Sequence, residues 1–159
     1  MDRLYAPWRS RYFTMPKTEG CLFCELQREK NDDEVGILFR GEHWFVILNA
    51  FPYTNGHIMI VARRHIEGFG EVSPEEGAEL VTLISRAEKA LDGAYRPDGI
   101  NIGVNRGACA GAGIAGHLHV HLVPRWCGDT NFMTALAGTR VVSEDLEESL
   151  RRLKPFFGE

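Results

Sequence analysis

Residues 117 to 123 read His-Leu-His-Val-His-Leu-Val, so three of the six histidines in the chain stand at alternate positions. In an extended strand, residues i, i+2 and i+4 point to one face. His117, His119 and His121 are therefore expected side by side, with Leu118, Val120 and Leu122 turned into a core. Imidazoles titrate near neutrality and suit nucleophilic attack, proton transfer, phosphate binding or metal ligation. Packing gives no reason to align them, and clustered titratable groups mark functional sites. Three crowded imidazoles cannot all be charged, because neighbouring positive charges lower one another's pKa.

The segment feeding this row runs Arg106-Gly-Ala-Cys-Ala-Gly-Ala-Gly-Ile-Ala-Gly116. Small residues permit close backbone approach, and successive amides can form an anion-binding nest. Gly111-Ala112-Gly113 opens onto a strand and so is no dinucleotide fingerprint; a Walker motif is absent as well. A glycine-rich loop delivering the chain into aligned histidines is best explained by phosphate. Cys21-Leu-Phe-Cys24 has the spacing of half a structural zinc site, and the pair alone leaves zinc, redox chemistry and no role open.

These groups must be held by a framework. Val35 to Phe39 and Trp44 to Leu48 read as strands joined by Arg40-Gly41-Glu42-His43, a turn that leaves His43 exposed. A third strand spans His57 to Ala62, a fourth Ile100 to Asn105, and the histidine segment is a fifth. Cys21 to Arg28 fits a short helix or a metal knuckle, and Asn31-Asp32-Asp33 a turn. Ser73-Pro74-Glu75-Glu76 opens the clearest helix with a capping box and proline at its first position. Leu80, Val81, Ile84, Ala87, Ala90 and Leu91 carry its apolar period, and Arg96-Pro97-Asp98-Gly99 ends it. Leu146, Leu150, Leu153 and Phe157 share one face of a C-terminal helix. Short turns between strands favour an antiparallel α+β domain over a βαβ array.

At 159 residues the chain fits a single domain with a sizeable core. The expected division is an N-terminal arm over 1–20, the main domain over 21–135 and an extension with a helix over 136–159. A net charge of −4 argues against a general nucleic-acid surface, while leaving room for a local phosphate pocket. No apolar run approaches a membrane span of about 20 residues. Residues 1–9 lack the apolar core of a signal peptide, so the expected location is cytoplasmic, where Cys109 and Cys127 stay reduced as well.

His117-Leu-His-Val-His-Leu-Val123 resembles the signature of the histidine triad (HIT) superfamily of nucleotide hydrolases and transferases. Leu48-Asn-Ala-Phe-Pro-Tyr-Thr-Asn-Gly-His-Ile-Met-Ile-Val61 is similar to the family's stretch ending in Gly-His-hydrophobic. The tail Val123-Pro-Arg-Trp-Cys-Gly-Asp-Thr-Asn-Phe-Met133 resembles the branch acting on diadenosine polyphosphates, including diadenosine tetraphosphate phosphorylases. The resemblance implies a HIT-like domain: about five antiparallel strands, one long central helix and a C-terminal helix. It implies His119 as the nucleophile that attacks an α-phosphorus and forms a nucleotidyl-imidazole. His121 and His57 would contact phosphate oxygens, Asn49 the ribose, and Asn105 with Gly111 and Gly113 the phosphate chain. Trp44, Phe45 and Phe51 would wall the purine.

The same resemblance places a structural zinc on Cys21, Cys24, His65 and His117, which takes His117 out of catalysis. Magnesium would serve by neutralising polyphosphate, although no acidic cluster specifies it. A homodimer with joined sheets is expected on resemblance alone. Competing readings are a nucleoside phosphoramidate hydrolase, a nucleotide-binding regulatory module with vestigial catalysis, and a metallohydrolase using the alternate histidines as zinc ligands. The last leaves Cys21 and Cys24 without a role.

Overall fold

The computed structural model describes residues 20–130 and 142–158. The expected arm, apart from Gly20, residues 131–135 of the expected main domain (with the end of the quoted tail), and residues 136–141 and 159 of the expected extension lie outside the described residues. The order is α1 (Leu22–Leu26), α2 (Asp32–Val35), β1 (Ile37–Arg40), β2 (Trp44–Leu48), β3 (Ile58–Ala62), α3 (Pro74–Tyr95), β4 (Gly99–Gly103), β5 (His119–Arg125) and α4 (Leu146–Phe157). Short 3-10 turns cover Phe69–Glu71 and Ala108–Ala110. All pairings are antiparallel, in the sheet order β1-β2-β3-β5-β4. The α+β architecture expected from the turn pattern is the one present.

Both faces of the central strands are covered, so Trp44-Phe-Val-Ile-Leu48 and Ile58-Met-Ile-Val-Ala62 read as unbroken apolar runs. On one face, Trp44, Val46, Ile58, Ile60, Val120 and Leu122 pack against Leu80, Leu83 and Leu91 of α3 and Leu153 and Phe157 of α4. On the other, Phe45, Ile47, Met59 and Val61 gather around Phe23. Register ties this second face to the histidines, because Val61 lies opposite His119 and Met59 opposite His121.

The capping box of α3 is present. The Glu76 amide donates to Ser73 Oγ at 3.2 Å, and the Ser73 amide donates to Glu76 Oε2 at 2.7 Å. Glu76 also takes the Arg64 guanidinium, which, with the Ser73 amide, pulls its carboxyl down to about 2. The helix ends at Arg96, in the left-handed region with φ 48°. Its buried row is Leu80, Leu83, Ala87, Ala90 and Leu91; Val81, expected in that row, is 68% exposed. One residue is a turn of about 100° around the axis, which carries Val81 off the core stripe beside Leu80.

Boundaries shift elsewhere. Asn31-Asp32-Asp33 leads into the one-turn helix α2, which Gly36 closes at φ 77°. The fifth strand starts at His119, so His117 stands just ahead of it. His43 is half-buried instead of exposed, its amide donating to Glu79 Oε2. Gly56 takes φ 74° in the turn before β3, where a Cβ would meet the Tyr95 ring at 2.6 Å. The Tyr95 hydroxyl in turn donates to Glu144. Among the described residues, no helix is long and apolar enough to cross a membrane.

Candidate active site and metal centre

His119 sits at the start of β5, only 4% exposed, with its ring 5.1 Å from Phe23 and 4.8 Å from His121. Its Nδ1 donates to the His117 carbonyl at 2.7 Å. In a neutral imidazole that bond assigns the proton to Nδ1 and leaves a lone pair on Nε2. Burial lowers the pKa of His119, against the opposing pull of the backbone bond. A neutral, oriented imidazole with one open nitrogen is what a nucleophile requires.

A second pair lies beside it. The Tyr53 amide donates to His57 Nδ1 at 3.0 Å, so neutral His57 carries its proton on Nε2. That nitrogen lies 3.0 Å from His121 Nδ1 and donates to it, which places the His121 proton on Nε2. Burial, then the neighbouring His119, lowers His121 to about 4. The Tyr53 ring covers the pair, 4.6 Å from His57 and 6.0 Å from His121. Asn49 is buried alongside; its Oδ1 accepts from the Phe51 amide at 2.8 Å, and its Nδ2 lies 3.3 Å from His57 Nε2.

His117 belongs to a different cluster. Its Nδ1 lies 3.1 Å from Cys21 Sγ and 3.6 Å from Cys24 Sγ, and His65 Nδ1 lies 3.5 Å from Cys24 Sγ. The four ligand atoms all fall within 4.8 Å of one another. A tetrahedral ion with metal–sulfur bonds of about 2.3 Å and metal–nitrogen bonds of about 2.0 Å needs sulfur–nitrogen edges of roughly 3.5 Å. The donor set and its spacing therefore fit such an ion. His117 Nε2 donates to the Ala62 carbonyl at 2.7 Å, which fixes the tautomer that turns Nδ1 towards the sulfurs. Burial lowers the His117 pKa, with His65 and His119 adding to it. Burial and the adjacent Cys21 raise the Cys24 thiol.

The remaining expected residues divide. Asn105 lines a cavity of about 290 Å³ next to His121. Gly111 stands in the glycine-rich loop with φ 87°, and Gly113 is exposed there. Phe51 is 37% exposed beside Asn49. Phe45 is buried on the histidine face, under Phe23. Trp44 requires a correction. It is fully buried on the helix side of the sheet, and its indole N–H donates to the Glu76 carbonyl at 2.8 Å. A ring on the face opposite the histidines cannot wall a purine bound over them. Residue types alone did not single out Phe23, Tyr53, Asn101 or Arg125, although Tyr53 falls inside the quoted Asn49–His57 stretch.

The HIT domain matches residues 30–127 of the chain. An AP-4-A phosphorylase of Mycobacterium tuberculosis is 34% identical, over 96% of this chain and 83% of that protein. A HIT-like protein of Saccharolobus solfataricus is 30% identical over 83% and 93%. Among solved structures, a zinc-bound histidine triad family protein from Mycobacterium smegmatis is 28% identical with a TM-score of 0.67, covering 87% of this chain and 93% of that one. The diadenosine triphosphate hydrolase of Plasmodium falciparum shares the fold at 17% identity, with a TM-score of 0.62 over 77% and 76%. The chain belongs to the HIT family.

Proposed function

We propose that the protein is a nucleotidyl transferase that cleaves dinucleoside polyphosphates at the α-phosphate and passes the nucleotidyl group to inorganic phosphate. The observation that carries this reading is His119: buried, lowered in pKa, and held with Nε2 free by the His117 carbonyl. Nε2 forms a bond to the α-phosphorus while the bridging phosphorus–oxygen bond breaks, its electron pair leaving with the nucleoside polyphosphate. In the second step an acceptor oxygen attacks the same phosphorus, and the imidazole departs with the electron pair of the P–N bond. His121 Nε2–H, backed by His57, donates to a nonbridging oxygen, where developing charge is best stabilised. Asn49 holds the ribose; Asn105 and the loop containing Gly111 and Gly113 hold the phosphate chain; Phe51 flanks the base.

Similarity to the mycobacterial AP-4-A phosphorylase supports diadenosine tetraphosphate as substrate and phosphate as acceptor. Zinc is the ion we assign to Cys21, Cys24, His65 and His117, in a structural role that ties the segment after the arm to the nucleophile strand. Magnesium would arrive with the polyphosphate, since the convergent ligand cluster found among the described residues is the Cys/His one. We also assign a cytoplasmic setting, a domain spanning 21–135 between arm and extension, and a homodimer joined through β4. That strand is the exposed sheet edge, whereas β1 is flanked by α2 and α4.

Incubation with diadenosine tetraphosphate, with and without phosphate, tests the reading. ADP plus ATP appearing only with phosphate is the expected result. AMP plus ATP in either condition would make the protein a hydrolase, and no product would overturn the polyphosphate assignment. The runner-up, a phosphoramidate hydrolase, would instead release AMP from adenosine 5′-phosphoramidate while sparing the polyphosphate.

A further inference from the structure

Beyond His121 along β5, the histidine face opens into the cavity of about 290 Å³. Its floor is unusual for a strand. β4 turns Gly99, Asn101 and Gly103 to this face, opposite Arg125, Val123 and His121 respectively. A Cβ on Gly99 or Gly103 would meet nothing within 4 Å, and neither glycine has a positive φ. Backbone geometry therefore does not demand glycine at either position, and glycine weakens a strand. What Gly103 does is keep space empty beside His121.

The polar groups of the cavity are arranged for a neutral guest. Asp129 grips Arg125 in a two-point ion pair, with Nη2 donating to Oδ1 at 2.8 Å, and this cancels the guanidinium charge. The third arm of Arg125 donates to Asn101 Oδ1 at 2.7 Å, which turns the Asn101 amide N–H groups outward as donors. Tyr53 and Val123 supply apolar surface around them. Size is near the lower end of small-ligand sites, about 300 Å³. The cavity also lies on one side only of the nucleophile. The Cys/His cluster and Phe23 lie on the other side, by His117. From His119 to Val123 is about 13 Å of strand, a separation that a polyphosphate chain can bridge.

We propose that this hollow, floored by Gly103 and framed by the Asn101–Arg125–Asp129 network, seats the nucleoside of the departing nucleotide. The inference rests on the polyphosphate reading above and deepens it: the enzyme distinguishes a dinucleoside polyphosphate from a mononucleoside polyphosphate by its second nucleoside.

The test compares diadenosine tetraphosphate with adenosine tetraphosphate, which carries the same phosphate chain and lacks that nucleoside. For the wild type, kcat/KM is expected to favour the dinucleotide at least tenfold. Gly103→Val fills the floor with a residue that suits a strand, and Asn101→Ala removes the donor without adding bulk. Each is expected to cut the dinucleotide-to-mononucleotide ratio about tenfold, with a melting curve confirming the fold; if Gly103→Val does not fold, Asn101→Ala decides. A wild-type ratio near one, or a ratio that neither folded variant moves, would overturn the subsite. Cleavage of neither substrate by the wild type would sink the functional reading itself, a separate failure.

Discussion

The reactivity proposed for His119 rests on a backbone carbonyl two residues earlier. The His117 oxygen accepts the Nδ1–H hydrogen bond, so the open nitrogen of the proposed nucleophile is set by the chain's own path into β5. His119→Asn is expected to lower turnover of diadenosine tetraphosphate by roughly 10³-fold or more, as loss of a covalent nucleophile does, while nucleotide binding persists in equilibrium titration. Equal, slow turnover by wild type and variant would mean a binding module instead. His121 makes a claim about stability. Its folded pKa is about 4 against 6.5 for a free imidazole, so between these values the unfolded chain binds the extra proton. Stability therefore falls as pH drops from 6.5 towards 4 and flattens below. Denaturant titrations across that range should show the decline, and His121→Asn should reduce it.

At the scale of elements, strands and caps were readable where local chemistry is decisive. The Ser73–Glu76 capping box and the bounds of β2 came straight from residue types and spacing. The side on which Trp44 lies did not, because in a strand covered on both faces the apolar run has no alternation to read. Asn101, Gly103 and Arg125 were invisible for a related reason: they meet only through the β4–β5 register. The proton order from Tyr53 through His57 to His121 likewise depends on a turn whose geometry no motif encodes. Trp44→Phe should cost about 1–3 kcal/mol in denaturant unfolding, since it removes a buried hydrogen bond to the Glu76 carbonyl and shrinks a fully buried core side chain. Its KM for nucleotide should stay unchanged, unlike that of a residue lining the site. Of the site itself, the four Cys/His positions were legible as types, and their convergence needed the fold.

The whole molecule is held by contacts between distant parts of the chain. Cys21 and His117 are 96 residues apart in sequence, and an ion between them would close that long loop. Elemental analysis should find one zinc per chain, and stripping it with a chelator should lower the melting temperature and loosen residues 21–26. Cys24→Ala should reproduce the effect without chelator. At the far edge of the sheet, β4 is exposed along most of its length. Sedimentation should give a particle of twice the 17.9 kDa chain, and Ile102→Lys, which places a guarding charge on that edge, should shift it towards monomer. A wild type that sediments as one chain would overturn the joined-sheet dimer.

The contact between Gly56 and Tyr95 bears on how this enzyme can be altered from a distance. The Tyr95 ring works as a strut: Glu144 holds its hydroxyl, and the edge of the ring rests on the bare backbone immediately before His57. A disturbance in the C-terminal segment should therefore reach the turn that precedes His57. Glu144→Ala, made far along the chain from any phosphate, should lower kcat more than it raises KM. The tail of this fold thus braces the turn that carries His57.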